Sequence, residues 1–585
     1  MITWDLETKG LGGDIVIGGV YDGTRYLEFR TIDEFIYYLK AFFPSGTLYA
    51  HNGGKYDNRY LLEYFRGNDY KVSRIFYINN GLIFTVELGS KKFKFRDSFH
   101  LLPRSLKNLC ESFNVEHKKQ DFDMKVWLKS GCPETVELRS YLKDDCKGLY
   151  EVLEKFNTEF GVTPKLTIAS TAFSTLLKTK YKNIELRKLL KNFMTKDQED
   201  FVRESYKGGR VEVFQRYAEN VNSYDVNSLY PFVMHNFNYP FGRLFDQNGK
   251  NFDTMIKKGK LGVAECLIEA PDIDIPYLAL RYDNKLVFPT GQWKDTITSL
   301  EIIEARKRGY KIKILKGIIW DKKGRVFKNY VDEYYEMKST SKGAKKECAK
   351  LFLNSSYGKF GQRRTNKAIK TEQEMINRGY SVNSASFDGG YLFSFDETSY
   401  RNRAVNPICA TFVTAYARHV LYEGMETVLK LGGDVYYCDT DSIKTNIELP
   451  DNMIHSTDLG KWDFEGKYLE SVFISPKLYS MYSEEYTIKK GKGVNTENLH
   501  KLTFDDYKKL LNENGTLVFE NERVTGVMEQ FKRKDTNKNK YISSIKTTKK
   551  ICTNYDKREL IDNSKTKPLH LQLLNDDDLQ EFALE

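Results

Sequence analysis

Short runs of apolar, β-branched and aromatic residues recur along the chain, and they predict strands at Ile2–Thr8, Leu48–Asn52 and Val435–Tyr437. Longer stretches with apolar residues at helical spacing predict helices over about Glu134–Phe156 and about Asp332–Gly358. Both kinds of element occur, which is typical of α/β and α+β folds. With 585 residues, 40% of them hydrophobic, the chain can bury more than one core, so a multidomain protein is expected.

The predicted helix over Asp332–Gly358 has one polar side. Its polar positions recur every four residues and are Lys338, Lys342, Lys346, Lys350 and Asn354. Steps of four drift by only about 40° around a helix, so these side chains form one slowly winding stripe. Such a stripe is often a solvated face. This one runs into Asn354–Gly361, where small residues permit the close approach of a flat partner.

Two aspartates, Asp439 and Asp441, lie one residue apart between the predicted strands Val435–Tyr437 and Ile443–Ile447. They therefore fall at the tip of a predicted hairpin. Like charges this close repel each other, and a divalent cation with a preference for oxygen ligands, such as Mg²⁺, reverses the interaction. The alternative is a solvated turn, because Asp and Thr are common turn residues.

A third aspartate, Asp225, stands at the end of a strand-like run in Ser223–Pro231. Asn227 and Ser228 can cap the helix that follows, and Pro231 suits its first turn. A carboxylate beside a helix N-terminus lies close to free N–H groups that bind phosphate. The alternative is an ordinary capped helix after a strand.

Other acidic residues lie near the start of the chain. Asp5 and Glu7 share one face of the predicted strand Ile2–Thr8, and Asp57 follows a second predicted strand. Tyr141 and Asp145 are four residues apart, on one face of a predicted helix. Each of these features is weak alone, because strand acids and helical Tyr/Asp pairs are common on surfaces.

Three blocks of the sequence, Asp225–Pro231, Lys350–Gly358 and Tyr437–Ser442, resemble in this order the three polymerase motifs of family B DNA polymerases. The likeness is closest to the protein-primed, strand-displacing replicases of small phages and linear plasmids. It implies a right-hand fold of palm, fingers and thumb. It also implies a DNA template and primer, dNTPs and a terminal priming protein as partners, with the enzyme acting as a monomer.

The resemblance assigns roles to the polymerase residues. Asp225, Val226 and Asp441 would bind two metal ions, Mg²⁺ or Mn²⁺, and Asp439 would support that site. Tyr230 would lie beneath the incoming sugar and exclude a 2′-hydroxyl group. The implied nucleotide-binding residues are Tyr230, Lys338, Lys350, Asn354 and Tyr357.

The N-terminal acids, taken together and in this order, resemble the DEDDy 3′–5′ exonuclease of proofreading polymerases, an RNase H-like domain. The implied ligands of two further metal ions are Asp5, Glu7, Asp57 and Asp145. Tyr141 would orient the attacking water, and Asn52 and Tyr56 would hold an unpaired 3′ end. The family also carries a helper lysine in this domain, for which the candidates are Lys125 and Lys129. The segment from Asp97 to Leu106 matches a further single-strand contact region, less specifically.

Tyr206–Arg210 matches the Tyr-x-Gly-Gly loop of the same family, in which two glycines let the backbone approach a DNA strand. Lys207 and Arg210 would then contact phosphates, and an ordinary turn is the alternative. The DNA-binding residues implied by the resemblance are Asn52, Tyr56, Tyr206, Gly208, Gly209, Lys346, Thr414, Arg418, Lys477 and Tyr479.

These motifs predict the domain boundaries. We expect an exonuclease domain over 1–160, palm over 165–238 and 408–490, fingers over 328–361, and thumb with a C-terminal tail over 491–585. Two further segments, 239–327 and 362–407, interrupt the palm. They stand where relatives carry the insertion for the priming protein and the insertion for strand displacement, and the tip of the second, Phe387–Phe393, predicts a hairpin.

Three other functions compete with this interpretation. A family B polymerase could extend ordinary nucleic-acid primers without a terminal protein. A non-catalytic DNA-binding scaffold would not need the two groups of acidic residues. A protein that is only a nuclease would not need the lysine stripe or Tyr230.

Charge and cysteine content add to this interpretation. The net charge of +11 favours a polyanionic partner. Residues 531–558 hold ten Lys or Arg and two Asp, as expected of a thumb that grips duplex DNA or of a disordered charged tail. The eight cysteines show no metal-ligand spacing, which fits reduced thiols in a cytoplasmic protein. The first strand begins at residue 2 and no apolar run is long enough to span a membrane, so neither a signal peptide nor a membrane segment is expected.

Overall fold

The computed structural model describes most of the chain. The described residues are 1–10, 12–68, 70–78, 81–178, 183–191, 194–362, 366–371, 391–396, 405–512, 516–524, 544–552 and 555–583. Their backbones form several sheets with helices packed against them. The predicted α/β and α+β multidomain class is confirmed.

The N-terminal part is built on one mixed sheet of seven strands. Its strands are β1 (Ile2–Thr8), β2 (Ile15–Tyr21), β3 (Tyr26–Phe29), β4 (Gly46–Ala50), β5 (Val72–Ile78), β6 (Gly81–Leu88) and β7 (Lys91–Asp97). Its helices are α1 (Ile32–Phe42), α2 (Asp57–Gly67), α3 (Leu106–Ser112), α4 (Met124–Lys129) and α5 (Val136–Phe160). The strand order is β3-β2-β1-β4-β7-β6-β5, with β1 parallel to β4 and antiparallel to β2.

Alternation along β1 decides which residues reach the acidic site. Trp4 is fully buried and stacks on Phe35 at 5.2 Å between ring centroids, on the side of the core. Thr3 points to the other side, where its hydroxyl donates to the carbonyl of Cys146 in α5 at 2.7 Å. Since successive side chains alternate across a strand, Asp5 and Glu7 also face α5.

Three helices lead to the second large sheet: α6 (Ile168–Lys178), α7 (Ile184–Lys191) and α8 (Lys196–Glu204). The next elements are β8 (Val211–Val213), β9 (Tyr217–Val226), α9 (Leu229–Asn236), β10 (Tyr239–Asn248), α10 (Gly249–Lys257), β11 (Leu261–Ala270), β12 (Leu280–Tyr282), β13 (Lys285–Val287), β14 (Thr290–Thr298), α11 (Ser299–Lys307) and β15 (Lys311–Gly324). The segment predicted as the first insertion thus forms most of its own sheet, β10-β15-β11-β14.

The predicted single helix over Asp332–Gly358 is wrong. The chain instead forms α12 (Lys328–Thr340) and α13 (Gly343–Ser355), separated by an extended Ser341. The backbone turns at Gly343, whose φ of 58° favours glycine. A Cβ at Gly343 would also lie 2.6 Å from the carbonyl oxygen of Ser112 in the N-terminal part, so the helix breaks where the two parts meet.

Few residues of the predicted second insertion are described. They form β16 (Asn366–Thr371) and β17 (Tyr391–Asp396), which pair antiparallel. Of the predicted tip Phe387–Phe393, residues 387–390 lie outside the described residues and Tyr391 begins β17.

The chain then returns to the second sheet through α14 (Pro407–Lys430), β18 (Val435–Asp439), β19 (Ser442–Thr445), β20 (Trp462–Ser475), β21 (Leu478–Tyr482) and β22 (Thr487–Gly491). The sheet has the order β22-β21-β20-β9-β19-β18-β8, so strands from both sides of the insertions share it. The predicted hairpin is confirmed, because β18 and β19 pair antiparallel with only Thr440 and Asp441 between them.

The remaining elements are α15 (Thr496–Lys501), α16 (Phe504–Asn512), β23 (Thr516–Val524), β24 (Ser544–Cys552), β25 (Arg558–Leu560), β26 (Thr566–Pro568), β27 (His570–Gln572) and α17 (Asp576–Ala583). Most of the basic segment 531–558 lies outside the described residues. The last elements pack against much earlier parts of the chain. β27 pairs in parallel with β14, and the Arg216 N–H donates to the carbonyl of Ser564 at 2.6 Å. Residues within the predicted thumb and tail therefore close the edge of the insertion sheet.

Seven cysteines in the described part of the chain are free and buried. Among the described helices, none combines the length and the apolar character needed to cross a bilayer.

Candidate active sites

The first candidate site lies between β1, the start of α2 and α5. It brings together the four predicted carboxylates Asp5, Glu7, Asp57 and Asp145, since each of the other three raises the pKa of Asp5. Asp57 is the first residue of α2, and its Oδ1 accepts the Leu6 N–H at 3.2 Å, which ties the helix start to β1.

Burial and mutual repulsion perturb these acids. Burial, followed by the charges of the other three acids, raises the pKa of Asp5 well above its usual range. Burial and the charge of Asp145 raise the pKa of Glu7 to about 8. The Oδ1 atom of Asp145 is buried and has no hydrogen-bond partner among the described residues. A divalent cation would offset the repulsion and satisfy this oxygen, so the set fits a metal centre.

The lysine at this site is Lys119, which the sequence reasoning missed. Its ammonium group forms an ion pair with Asp145, donates to the Tyr141 hydroxyl at 2.5 Å and lies 4.4 Å from the centre of that ring. The two predicted helper lysines, Lys125 and Lys129, are exposed on α4 instead. Residues 116–123 have no regular pattern that marks Lys119, and only its contact with α5 distinguishes it.

The predicted single-strand residues border this site. Tyr56 precedes α2 and is 36% exposed, while Asn52 has a φ of 62° in the turn after β4. A cavity of about 100 Å³, lined in part by Leu6, Tyr56 and Asp57, opens beside the carboxylates. This geometry leaves the Tyr56 ring free to stack on a base.

The second candidate site is at the turn between β18 and β19. Thr440 adopts a φ of 61°, and the Val226 N–H donates to the Asp441 carbonyl at 2.7 Å. Because Ser442 pairs with Asp225 across β19 and β9, the turn brings Asp441 to the end of β9. Asp225 and Asp441, far apart in sequence, thus lie together at one edge of the sheet.

The two aspartates perturb each other. Burial and the charge of Asp441 raise the pKa of Asp225 to about 7, and burial and the charge of Asp439 raise the pKa of Asp441 to about 6. Oxygen donors under such repulsion suit a hard divalent cation, so this pair also fits a metal centre.

Lys477 and Tyr437 hold the Asp439 carboxylate in place. Both of its carboxylate oxygens accept from the Lys477 ammonium group at 2.7 Å, and Oδ2 also accepts from the Tyr437 hydroxyl at 3.3 Å. The Tyr479 ring packs on Tyr437 with 5.2 Å between centroids. The predicted Lys477 and Tyr479 therefore lie beside the acidic turn, and the Lys477 side chain is about half exposed.

The predicted lysines converge although the helix is broken. The helices α12 and α13 run back along each other, since the Tyr330 hydroxyl donates to the Phe352 carbonyl at 3.0 Å. Burial, then the charges of Lys350 and Lys346, lower the pKa of Lys338, so the three ammonium groups lie near one another. The Lys338 ammonium group also donates to the Ser228 hydroxyl at 2.8 Å, beside the start of α9.

Two aromatic rings lie close to the acidic turn. Tyr230 in α9 stacks on Tyr357, just after α13, with 4.4 Å between ring centroids. The Asp441 charge is among the causes that raise the pKa of both tyrosines, after burial. The predicted Asn354 is exposed at the end of α13.

The Tyr-x-Gly-Gly loop is anchored inside the protein, and two predicted phosphate contacts within it are wrong. Lys207 is buried, and its ammonium group donates to Asp295 at 2.6 Å. Arg210 is also buried and donates to Glu212 at 2.6 Å. A buried charge needs such a partner, so these side chains anchor the loop. Tyr206 is partly buried, and a Cβ at Gly361 would lie 2.7 Å from its ring.

Two more predicted DNA contacts, Thr414 and Arg418, are buried in α14. The Arg418 guanidinium group donates to the carbonyls of Lys207 and Gly208 at 2.8 and 2.9 Å, and to Glu301 at 2.7 Å. The Thr414 hydroxyl donates back to its own helix at the Ala410 carbonyl. Arg418 therefore holds the backbone of the Tyr-x-Gly-Gly loop from the protein interior. Thr414 is buried and exposes no surface to DNA.

Gly209 packs directly on the acidic turn, which leads to a prediction. A Cβ there would lie 2.9 Å from the Cγ2 atom of Thr440, whereas a Cβ at Gly208 would meet nothing within 4 Å. We expect Gly209→Ala to displace the turn and lower primer extension about tenfold, since overpacking of this kind costs about 1–3 kcal/mol. The matched variant Gly46→Ala, at a glycine of β4 where an added Cβ would meet nothing closer than 3.6 Å, should extend primers at nearly the normal rate. Equal rates for the two variants would contradict the prediction.

Comparison with known proteins identifies the family of the chain. Residues 44–130 and 134–426, more than half of the chain, match the family described as DNA polymerase type B, organellar and viral. The chain is similar to a probable DNA polymerase of Podospora anserina, with 29% identity over 83% of this chain and 46% of that protein. It is also similar to the DNA-directed DNA polymerase of Enterobacteria phage PRD1, with 28% identity over 80% of each. It spans about half the length of the fungal relative.

A solved structure shares the fold. The Phi29 DNA polymerase complexed with primer-template DNA is similar with a TM-score of 0.75, and the match covers 94% of this chain and 100% of that one. The sequence identity is 20%, so this likeness speaks for the fold alone.

Proposed function

Because the chain belongs to the organellar and viral type B DNA polymerases, we propose that it extends DNA primers on a DNA template and trims unpaired 3′ ends at a separate site. The observation that carries the proposal is the meeting of Asp225 and Asp441 at one sheet edge. Lys338 donates to Ser228, three residues after Asp225, and Lys346 and Lys350 lie close to Lys338. Carboxylates for metal ions and lysines for phosphates are what phosphoryl transfer to a primer requires.

At the polymerase site, Asp225, Val226 and Asp441 would hold two Mg²⁺ or Mn²⁺ ions, which would activate the primer 3′-hydroxyl group and neutralise charge on the triphosphate. Lys338, Lys346 and Lys350 supply positive charge where the triphosphate and the leaving pyrophosphate carry negative charge.

The aromatic and basic side chains around the turn orient the substrates. The stacked rings of Tyr230 and Tyr357 form a rigid wall beside Asp441, which would exclude a sugar with a 2′-hydroxyl group. Lys477 and Tyr479 flank Asp439 on its exposed side and would hold the primer end.

At the exonuclease site, Asp5, Glu7, Asp57 and Asp145 would bind metal ions, and Lys119 supports Asp145 and Tyr141. The Tyr141 hydroxyl accepts from Lys119 and is also hydrogen-bonded to Asp145, so these two neighbours fix its position beside the carboxylates, where it would orient an attacking water. Tyr56 and Asn52 would hold the single strand, and a mismatched end, which melts more readily, would reach this site first.

We further propose protein priming and strand displacement. Support comes from the position of the sheet β10-β15-β11-β14 and of the β16–β17 ribbon, both inserted in the chain between the two sets of strands that form the palm sheet. A polymerase that extends ordinary primers without a terminal protein is the alternative.

A primed single-stranded circle with four dNTPs, Mg²⁺ and no helicase tests these proposals in one assay. We expect products many times longer than the circle. Products that stop at one circle length would contradict strand displacement only, and the absence of any extension would contradict the polymerase assignment. Transfer of one labelled dNTP to a candidate hydroxyl-bearing protein would support protein priming, and labelling of nucleic-acid primers alone would favour the alternative.

A further inference from the structure

One buried lysine lies close to the polymerase carboxylates. Lys444 in β19 follows Asp441 by three residues, and its side chain is 3% exposed. Its ammonium group donates to the Ser223 hydroxyl at 2.6 Å and to Glu465 at 3.1 Å. The Ser223 hydroxyl also donates to the same Glu465 oxygen at 2.6 Å, which closes a small network.

The strand register puts this network on the metal-binding face. Ser442 pairs with Asp225, and Lys444 pairs with Ser223 on the same two strands. Alternate residues of a strand share a face, so the Lys444 side chain lies on the face of Asp225, one step farther from the turn. From the other side, β20 contributes Asp463, which pairs with Asp225, and Glu465 at a bulge.

This face carries the four carboxylates of Asp225, Asp441, Asp463 and Glu465. The positive charge of Lys444 favours the ionised form of all of them except Asp463. After burial, the charges of Asp441, Glu465 and Asp463 raise the pKa of Asp225, whereas Lys444 lowers it. Burial and the charge of Asp439 raise the pKa of Asp441, and Lys477 and then Lys444 act in the opposite direction. Burial also acts to raise the pKa of Glu465, but that pKa is lowered overall, and Lys444 is the first of the groups that lower it. A buried ammonium group is costly unless it has such partners, so the network is a specific arrangement.

We propose that Lys444 is a positioning residue of the polymerase site, which holds Glu465 on the metal-binding face and supplies a fixed positive charge beside the aspartates. The inference rests on the proposed polymerase function and goes beyond it. Lys444 has two opposite effects. Its charge weakens the binding of a divalent cation, and its hydrogen bonds keep the acidic face in the arrangement needed for turnover.

The test is the dependence of primer extension on Mg²⁺ concentration in Lys444→Met, together with direct calorimetric titration of the chain with Mg²⁺ in the absence of DNA, in which the same shift in affinity is expected. Loss of one nearby positive charge should lower the half-saturating Mg²⁺ concentration by about fivefold. Loss of the Glu465 contact should at the same time lower the maximal rate by about tenfold. Lys444→Arg should keep both values within about twofold, because it preserves the charge and a hydrogen bond.

Two other variants make the outcome decisive. Glu465→Gln removes a negative charge from the same network, so the half-saturating Mg²⁺ concentration should rise while the maximal rate falls. This variant keeps the proposal testable if Lys444→Met does not fold. Lys467→Met alters an exposed lysine of β20 and should leave both values unchanged.

Lower rates in Lys444→Met and Glu465→Gln with the same half-saturating Mg²⁺ concentration as the unaltered chain would overturn the inference. Opposite shifts in the two variants would support it. Failure of the unaltered chain to extend primers would instead count against the proposed function itself.

Discussion

Asp441→Asn is expected to reduce primer extension at least about a thousandfold, since it removes a carboxylate charge from the proposed metal site, where the primer 3′-hydroxyl group would react. Asp441 lies in the two-residue turn between β18 and β19, and its carbonyl accepts from the Val226 N–H. The amide side chain has nearly the same shape, so the turn should remain intact. Steady-state extension of a primed template by a single nucleotide measures the effect.

DNA binding distinguishes loss of chemistry from loss of structure. We expect Asp441→Asn to bind primer-template DNA within about threefold of the unaltered chain in a gel-shift titration, because phosphate contacts supply most of that affinity. Asp434→Asn, an exposed aspartate just before β18, serves as the matched control and should extend primers normally. Extension by Asp441→Asn at a near-normal rate would refute the assignment of Asp441 to the metal site.

The double variant Asp5→Ala with Glu7→Ala should degrade a single-stranded 3′ end at least about a thousandfold more slowly than the unaltered chain. Both carboxylates lie on the face of β1 that points to α5, and without them Asp57 and Asp145 cannot hold two cations. Polymerisation should be spared, because the polymerase carboxylates lie on a different sheet. A 5′-labelled oligonucleotide followed over time measures the degradation.

Extension of matched and mismatched primers completes this experiment. The double variant should extend a matched primer at the normal rate and should leave a mismatched end in place that the unaltered chain removes. Asp14→Ala, an exposed aspartate of the same part of the chain, is the control and should degrade single strands normally. Undiminished degradation by the double variant would defeat the exonuclease assignment.

The pKa values of the acids at the two candidate sites support the proposed binding of metal ions. In the absence of a cation, burial and repulsion raise the pKa of Glu7 to about 8 and that of Asp225 to about 7. The folded chain must therefore take up protons or cations to hold these acids together. The acids of each site therefore repel one another, and a bound divalent ion would relieve that repulsion.

The sequence by itself determined the local features of both sites. Asp439 and Asp441 lie at the tip of a hairpin because the β-branched and aromatic runs on either side pair over a two-residue turn. Asp5 and Glu7 share a face because the side-chain period of a strand is two. Tyr141 and Asp145 share a face because they are one helical turn apart. These features depend on neighbours in sequence, so a pattern can predict them.

Only the tertiary structure decided which charged residues are buried and which lysine lies among the N-terminal carboxylates. Lys119 lies at that site through its contact with Asp145 in α5, and no local pattern distinguishes it from Lys125 or Lys129. Lys207 and Arg418 look like DNA contacts in the sequence, yet Asp295 and Glu301 take up their charges. The partner of a buried charge comes from a distant segment, and packing alone brings the two together.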